Sequence, residues 1–138
     1  MEKLYTAQAT ATGGRNGNVQ SSDGAINMEV RMPKELGGKG GLYTNPEQLF
    51  AAGYAACFDS ALNMIIGLEK VKTGLTTVTA DVSIGKNDNG GFGLEIKLEV
   101  SIPDIDRATA QQLLEKAHQV CPYSNATRNN VDVELELV

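Results

Sequence analysis

Alternation of apolar and polar residues predicts most of this chain as β-strand. The clearest case is residues 92–102, where every second residue from Leu94 to Ile102 is apolar, which is the period of a strand with one buried face. Residues 131–138 alternate in the same way. Weaker alternation and strings of Thr, Val and Ala predict the other strands at 3–12, around Val19, at 25–32 and at 75–86.

Glycine-rich segments separate these strands. Residues 13–18 read GGRNGN, and the Asn16-Gly17 pair within them is the strongest hairpin signal in the chain. Residues 33–43, PKELGGKGGLY, predict a loop. KNDNGG predicts a tight turn before the strand at 92–102.

The first of two predicted helices has a clear start. Asn45 can cap it, Pro46 suits the first helical position, and Gln48 completes a spacing like that of a capping box. From Leu49 to Leu68 the segment is apolar on nearly every face. Such a helix is covered on all sides, by its own domain or by a partner subunit, which is a weak indication of a dimer.

The second helix begins after Asp104 or Asp106 and continues to about Val120. Pro122 ends it, because proline cannot continue a helix. Its inward positions are Leu113, Leu114 and Ala117. The predicted order is therefore β-β-β-α-β-β-α-β, an α+β fold in a single domain spanning residues 1–138.

Composition and charge exclude several classes of function. The 138 residues carry a net charge of -5, so nucleic acid is not an expected partner. No basic block predicts binding to an anionic membrane. Asp59, Ser60 and Asn63 interrupt the long apolar segment, which favours a buried helix over a membrane span. With no signal-peptide pattern and only two cysteines, we expect a cytoplasmic protein.

The two cysteines occupy very different settings. Cys57 lies in the middle of the apolar helix, and Cys121 directly precedes Pro122. This arrangement suggests a nucleophile and a resolving partner in thiol redox chemistry. Burial raises a thiol pKa, so Cys57 could equally be an inert core residue unless a cation approaches it. Arg15, at a glycine-flanked hairpin tip, could reach into a pocket or remain an exposed turn residue.

Cys121 begins the sequence CPYS, which is similar to the dithiol motif of thioredoxin-like folds. There the cysteine opens a helix, whereas here it closes one, where the helix dipole disfavours a thiolate. Cys121 is therefore expected to resolve rather than to attack. His118, the only histidine, is expected on the helix surface, and one histidine with two distant cysteines predicts no zinc site.

Four segments in order resemble the OsmC/Ohr family, which includes osmotically inducible protein C and the organic hydroperoxide resistance proteins. They read ATATGGRNG, NPEQLFAAGYAACF, GGFGLEIKLEV and VCPYSNATRNN, and the similarity extends over residues 5–130. The pairing of GYAACF with CPYSNAT is closer to the organic hydroperoxide branch. The resemblance implies an intertwined homodimer in which two long helices from each subunit lie between β-sheets shared by both chains.

The resemblance also implies a thiol peroxidase that reduces organic, including lipid-derived, hydroperoxides to alcohols. It implies no bound cofactor, and the dihydrolipoyl groups of a lipoylated partner protein as reductant. By motif, Cys57 is the peroxidatic cysteine and Cys121 the resolving one. Arg15 matches the arginine that contacts the thiolate, and Glu47 matches the acid that holds that arginine.

Three points stay open at the level of sequence. Glu47 and Cys57 are about 15 Å apart along one straight helix. Arg15 can contact both residues only if its long side chain bridges this distance, if the helix starts later or breaks near Gly53, or if one of the contacts crosses to the other subunit. Phe50, Tyr54, Phe58 and Phe92 could form an apolar wall for the substrate or simply pack in the core. The alternatives to a peroxidase are a glutaredoxin-like oxidoreductase, supported by CPYS, and a small-lipid binding module.

Overall fold

The computed structural model describes all 138 residues, which fall into two compact units, residues 1–49 and residues 50–138. The expectation of a single domain stays a prediction. The first unit contains an antiparallel sheet in the order β1-β2-β3. Its strands are β1 (Ala9–Thr12), β2 (Asn16–Ser21) and β3 (Asn27–Arg31), followed by a short 3-10 turn at Lys34–Leu36.

The hairpin between β1 and β2 turns earlier than the sequence predicts. Gly13 and Gly14 have φ angles of +78° and +57°, and the backbone N–H of Asn16 donates to the Gly13 carbonyl at 3.1 Å. The interpretation of Asn16-Gly17 as the turn is wrong, because both residues belong to β2. Gly17 is needed instead for close approach, since a Cβ there would overlap the carbonyl oxygen of Thr12.

Helix α1 spans Pro46–Glu69 without a break. The predicted cap is confirmed, since the Asn45 side-chain oxygen accepts from the Gln48 backbone N–H at 2.8 Å. Its buried face consists of Tyr54, Phe58, Ala61, Leu62, Ile65 and Ile66. The opposite face is exposed, with Ala52, Ala56, Ser60, Met64 and Leu68. The chain thus covers only one side of a helix that is apolar nearly all round.

Length and composition alone would allow α1 to cross a membrane. The core helix of a soluble protein passes the same test, however, and the six buried residues of α1 belong to a continuous core.

The second unit is built on a sheet in the order β4-β5-β6. Its strands are β4 (Thr77–Lys86), β5 (Phe92–Ser101) and β6 (Val133–Leu137). The central strand β5 pairs antiparallel with β4 and parallel with β6. A parallel pair requires a crossover connection, which here is supplied by helices. The predicted alternation in β5 is confirmed, because Ile96, Leu98 and Val100 are at most 1% exposed.

Helix α2 spans Arg107–Val120 and begins at Asp106, whose carboxylate accepts from the Thr109 backbone N–H at 2.9 Å. Asp106, rather than Asp104, is therefore the cap. The apolar side of α2 packs into the core of the second unit through Ala110, Leu113, Leu114 and Ala117.

A third helix, α3 (Pro122–Thr127), was not predicted. Pro122 does end α2, but it also occupies the first position of α3, where its fixed φ and missing N–H cause no loss. Cys121 is extended (φ -61°, ψ 121°), and it closes α2 and opens α3. With two sheets and three α-helices, the predicted α+β class is confirmed.

Candidate active site at the cysteine pair

The two cysteines are neighbours in the folded chain. Helix α1 carries Cys57, which is half-buried, and the junction of α2 and α3 carries Cys121, which is fully buried. Their Sγ atoms are 3.8 Å apart, within reach of an S–H···S hydrogen bond. The sequence did not decide whether Cys121 lies close to Cys57 or has to move, and the structure answers that it lies close.

The surroundings of Cys57 act on its thiol in opposite directions. Burial raises the pKa of Cys57, and a hydrogen bond from the backbone N–H of Tyr123 in the first turn of α3 lowers it. The adjacent Cys121 raises this pKa further, because two neighbouring thiols do not readily ionise together. The net direction is upward, as the sequence predicts for a thiol in an apolar helix.

Arg15 and Glu47 form a bidentate ion pair within the first unit. The two guanidinium nitrogens donate to the two carboxylate oxygens at 2.8 Å and 2.6 Å. These hydrogen bonds raise the pKa of Arg15 and lower the pKa of Glu47, so both groups stay charged. The pair forms within one chain, and α1 neither starts after Glu47 nor breaks at Gly53.

The four aromatic residues predicted to line a substrate wall have different environments. Tyr54 and Phe58 are completely buried, Phe50 is half-buried, and Phe92 is 70% exposed at the start of β5. The Phe50 ring lies 6.3 Å from Tyr54 and 6.2 Å from Tyr123, both edge-on. The structure thus clusters Phe50 and Tyr54 with Tyr123, whereas Phe92 lies outside the core cluster.

A buried polar network next to Cys121 was not predicted. The Tyr54 hydroxyl lies 2.9 Å from the Ser124 hydroxyl and 3.3 Å from that of Thr127. Ser124 in turn lies 2.9 Å from Nδ1 of His118. His118 is therefore half-buried rather than on the surface. The spacing of Ser124 and Thr127 along one helix face could have indicated the network, had α3 been predicted.

No group of three or more His, Cys, Asp or Glu side chains in this structure could hold a metal ion.

Fold and site together define an α+β protein with two free thiols in contact between its helices. A family model described as OsmC-like protein matches residues 38–136. An organic hydroperoxide resistance protein of Xanthomonas axonopodis pv. citri is 54% identical over 135 residues, which cover 97% of this chain and 94% of the relative.

Solved structures agree with this result. An organic hydroperoxide resistance protein from Elizabethkingia anophelis matches with a TM-score of 0.96 and 62% identity, covering 99% of this chain and 98% of the other. OhrB of Bacillus subtilis matches with a TM-score of 0.90 and 45% identity, covering 99% and 100%. The chain belongs to the OsmC/Ohr family, as its sequence motifs predict.

Proposed function

We propose that this protein is a cysteine-based peroxidase that reduces organic hydroperoxides to alcohols and so contributes to organic hydroperoxide resistance. The observation that carries the proposal is the 3.8 Å separation between the sulfurs of Cys57 and Cys121. It occurs in a chain whose relatives are named for organic hydroperoxide resistance. A half-buried thiol can meet a peroxide, and a buried thiol beside it can then close a disulfide.

In the first step the Cys57 thiolate attacks the terminal oxygen of the hydroperoxide. A sulfur–oxygen bond forms, the O–O bond breaks, and the alkoxide leaves and takes up a proton to become an alcohol. Sulfur loses two electrons and Cys57 becomes a sulfenic acid. The rate depends on the thiolate, because the neutral thiol is a poor nucleophile.

Arg15 is the proposed cation that favours the Cys57 thiolate. Burial and Cys121 raise the pKa of Cys57, and the Tyr123 N–H is the one neighbouring group that lowers it. A guanidinium within about 4–6 Å would lower it further. Glu47 engages two of the five N–H donors of Arg15, which leaves others for the peroxide oxygens as negative charge develops.

In the second step Cys121 attacks the sulfur of the Cys57 sulfenic acid. The S–S bond forms, the S–O bond breaks, and hydroxide leaves with the Cys121 proton as water. A disulfide is about 2.05 Å long, so sulfurs that start 3.8 Å apart need only a small approach.

A dithiol is the proposed reductant, and the family resemblance favours the dihydrolipoyl group of a lipoylated protein. Its first thiolate would attack Cys57, since the sulfur of Cys121 is inaccessible in a residue with no exposed surface. The second thiol would then release the protein dithiol and leave the lipoyl group oxidised. Thiols stay reduced in the cytoplasm, which is where we place this reaction.

Substrate preference is proposed to follow from apolar surroundings. Phe50 is the half-buried member of the aromatic cluster, and Tyr54 and Phe58 back it from the core. Each buried CH₂ of an alkyl tail contributes about 0.8 kcal/mol, which would favour alkyl hydroperoxides over hydrogen peroxide. A role for Phe92 stays a prediction.

The working form is proposed to be an intertwined homodimer. The exposed face of α1 supports this, because Met64 is 50% and Leu68 is 70% exposed on a helix otherwise used as core. A second copy of the chain would remove these side chains from water.

Stopped-flow oxidation of the reduced protein by tert-butyl hydroperoxide and, separately, by hydrogen peroxide tests this function. We expect rapid loss of both thiols with the alkyl peroxide, much slower loss with hydrogen peroxide, and no thiol loss linked to turnover in Cys57→Ser. If both peroxides react slowly with wild type and both thiols survive, the peroxidase proposal is wrong and a lipid-binding module becomes the better interpretation.

A further inference from the structure

Ser124 joins the three helices of the second unit at one buried point. Its hydroxyl lies 2.9 Å from the Tyr54 hydroxyl on α1 and 2.9 Å from Nδ1 of His118 on α2, while Ser124 itself lies on α3. Tyr54 and Ser124 have no exposed surface. One hydroxyl therefore connects the helix that carries Cys57 to the two helices that meet at Cys121.

Every buried polar side-chain atom in this region has a partner. Thr127 donates to the backbone carbonyl of Tyr123 at 3.0 Å, so its oxygen can accept from Tyr54. Loss of the Ser124 hydroxyl would leave Tyr54 with only the longer contact to Thr127 and would remove the partner of His118 Nδ1, and a buried polar group that loses its partner is costly. The network therefore favours one arrangement of the three helices over nearby alternatives.

The backbone around Cys121 transmits this constraint to its sulfur. The Cys121 N–H donates to Ala117 in α2 at 2.9 Å, and its carbonyl accepts from Asn125 in α3 at 2.9 Å. Arg128 also donates to the carbonyl of His118 at 2.7 Å, which ties the end of α3 to α2. Cys121 thus moves only with its two helices, and Ser124 follows it by three residues.

Resting on the proposed function, we propose that Ser124, with Tyr54 and His118, positions Cys121 for attack on oxidised Cys57. None of the three touches a sulfur atom through its polar group, so they are positioning residues. Their removal should slow disulfide closure more than it slows the first oxidation, because closure alone requires the two sulfurs to meet in line. A displacement of about 1 Å can cost about 100-fold in rate.

The test separates the two steps in the full-length protein. Stopped-flow mixing with tert-butyl hydroperoxide gives the rate of Cys57 oxidation, and dimedone captures any sulfenic acid that Cys121 has not yet resolved. For Ser124→Ala and Tyr54→Phe we expect disulfide closure to slow about 10- to 100-fold, with a matching rise in dimedone adduct. Tyr54→Phe keeps the ring, so it remains informative if Ser124→Ala folds poorly.

Three further variants distinguish positioning from a general loss of stability. His118→Leu should slow closure, whereas His118→Asn retains a hydrogen-bonding group near the place of Nδ1 and should restore most of the rate. Thr76→Val is the matched control, because Thr76 is also a buried hydroxyl bonded to α1, at 2.6 Å from Asp59. It should close the disulfide at the wild-type rate.

The outcomes separate this proposal from the proposed function. If the wild type consumes peroxide and closes the disulfide, and the variants close it equally fast, the positioning role is overturned and the peroxidase proposal stands. Equal slowing in Thr76→Val, or no rescue by His118→Asn, would also overturn it. Wild type that forms no disulfide at all would overturn the peroxidase proposal itself.

Discussion

At the scale of single residues, the reactivity of Cys57 depends on which neighbour dominates. Burial and Cys121 raise its pKa, and the Tyr123 N–H acts against them. A thiol with a raised pKa reacts slowly at neutral pH. The proposed peroxidase therefore needs a further source of positive charge, and Arg15, held by Glu47, is the candidate.

Arg15→Ala should move the pH midpoint of Cys57 alkylation upward and slow peroxide attack by about tenfold or more, because the proposed cation is lost. Glu47→Gln should have a smaller effect in the same direction, since Arg15 remains but is held less firmly. Iodoacetamide alkylation as a function of pH measures both. Arg107→Ala, an arginine bonded to the Leu137 carbonyl, is the control, and an unchanged profile in Arg15→Ala would remove Arg15 from the site.

Cys121→Ser should react with one peroxide per subunit and then stall, with over-oxidation when peroxide is in excess. Without a resolving thiol the Cys57 sulfenic acid persists, and excess peroxide oxidises it further to sulfinic acid. Intact mass spectrometry after one and after ten equivalents of peroxide follows both products. Steady-state turnover at the wild-type rate with a dithiol reductant would show that Cys121 is not the resolving residue.

His118 should make the fold less stable in mild acid. Burial and the nearby positive charge of Arg128 lower the pKa of His118, so the unfolded chain, with a histidine pKa of about 6.5, binds the proton more readily. The contribution is complete above pH 6.5 and is lost as the pH falls below that value. Urea unfolding at several pH values should show this loss in wild type and a weaker pH dependence in His118→Asn. Equal pH dependence in both would contradict the assignment.

At the scale of elements, the β1–β2 hairpin determines where Arg15 is presented. Two glycines with positive φ make the turn, and Gly17 allows β2 to pass close to Thr12. The sequence predicted a turn at residues 13–18, with Asn16-Gly17 as its strongest hairpin signal. Asn-Gly pairs favour tight hairpin turns, but here Gly13 and Gly14 make the turn. The close approach of Gly17 to the Thr12 carbonyl keeps Gly17 within β2.

Gly17→Ala should distort this hairpin, because the new Cβ would overlap the Thr12 carbonyl. We expect a lower melting temperature and slower peroxide attack, while Cys57 and Cys121 still form a disulfide when oxidised by diamide. Gly85→Ala in β4 is the control, since a Cβ there meets nothing within 4 Å. Wild-type stability and attack rate in Gly17→Ala would refute the close-approach argument.

Helix α3 shows a second limit of local patterns. Pro122 signals the end of α2, and proline is equally suited to the first position of a new helix. The six residues of α3 are too few to form an independent helix. Packing against α1 and α2 through Ser124 therefore decides that α3 forms, and with it the Tyr123 N–H reaches Cys57.

At the scale of the whole molecule, one chain leaves an apolar face of α1 in contact with water. Its buried face is completed by the core of the second unit, whereas Met64 and Leu68 remain in contact with water. The sequence already indicated that this helix requires cover on every side.

Met64→Lys should weaken the proposed dimer, because a charge would have to be buried in an apolar interface. Size-exclusion chromatography with light scattering at micromolar concentration should give a dimer for wild type and a larger monomer fraction for the variant. Gln111→Lys, on the exposed side of α2, is the control and should remain dimeric. A monomeric wild type would refute the proposed assembly.

The sequence by itself determined the α+β class, the Asn45 cap of α1 and the buried face of β5, because these depend on short-range periodicity and on residues a few positions apart. It also supplied the four motifs that indicate the family. Only the tertiary structure decided that the Cys57 and Cys121 sulfurs lie 3.8 Å apart, that Arg15 pairs with Glu47 within one chain, and that Ser124 joins three helices. The Arg15–Glu47, Cys57–Cys121 and Tyr54–Ser124 contacts join residues 32 to 70 positions apart, and packing of whole elements, rather than any local pattern, brings them together.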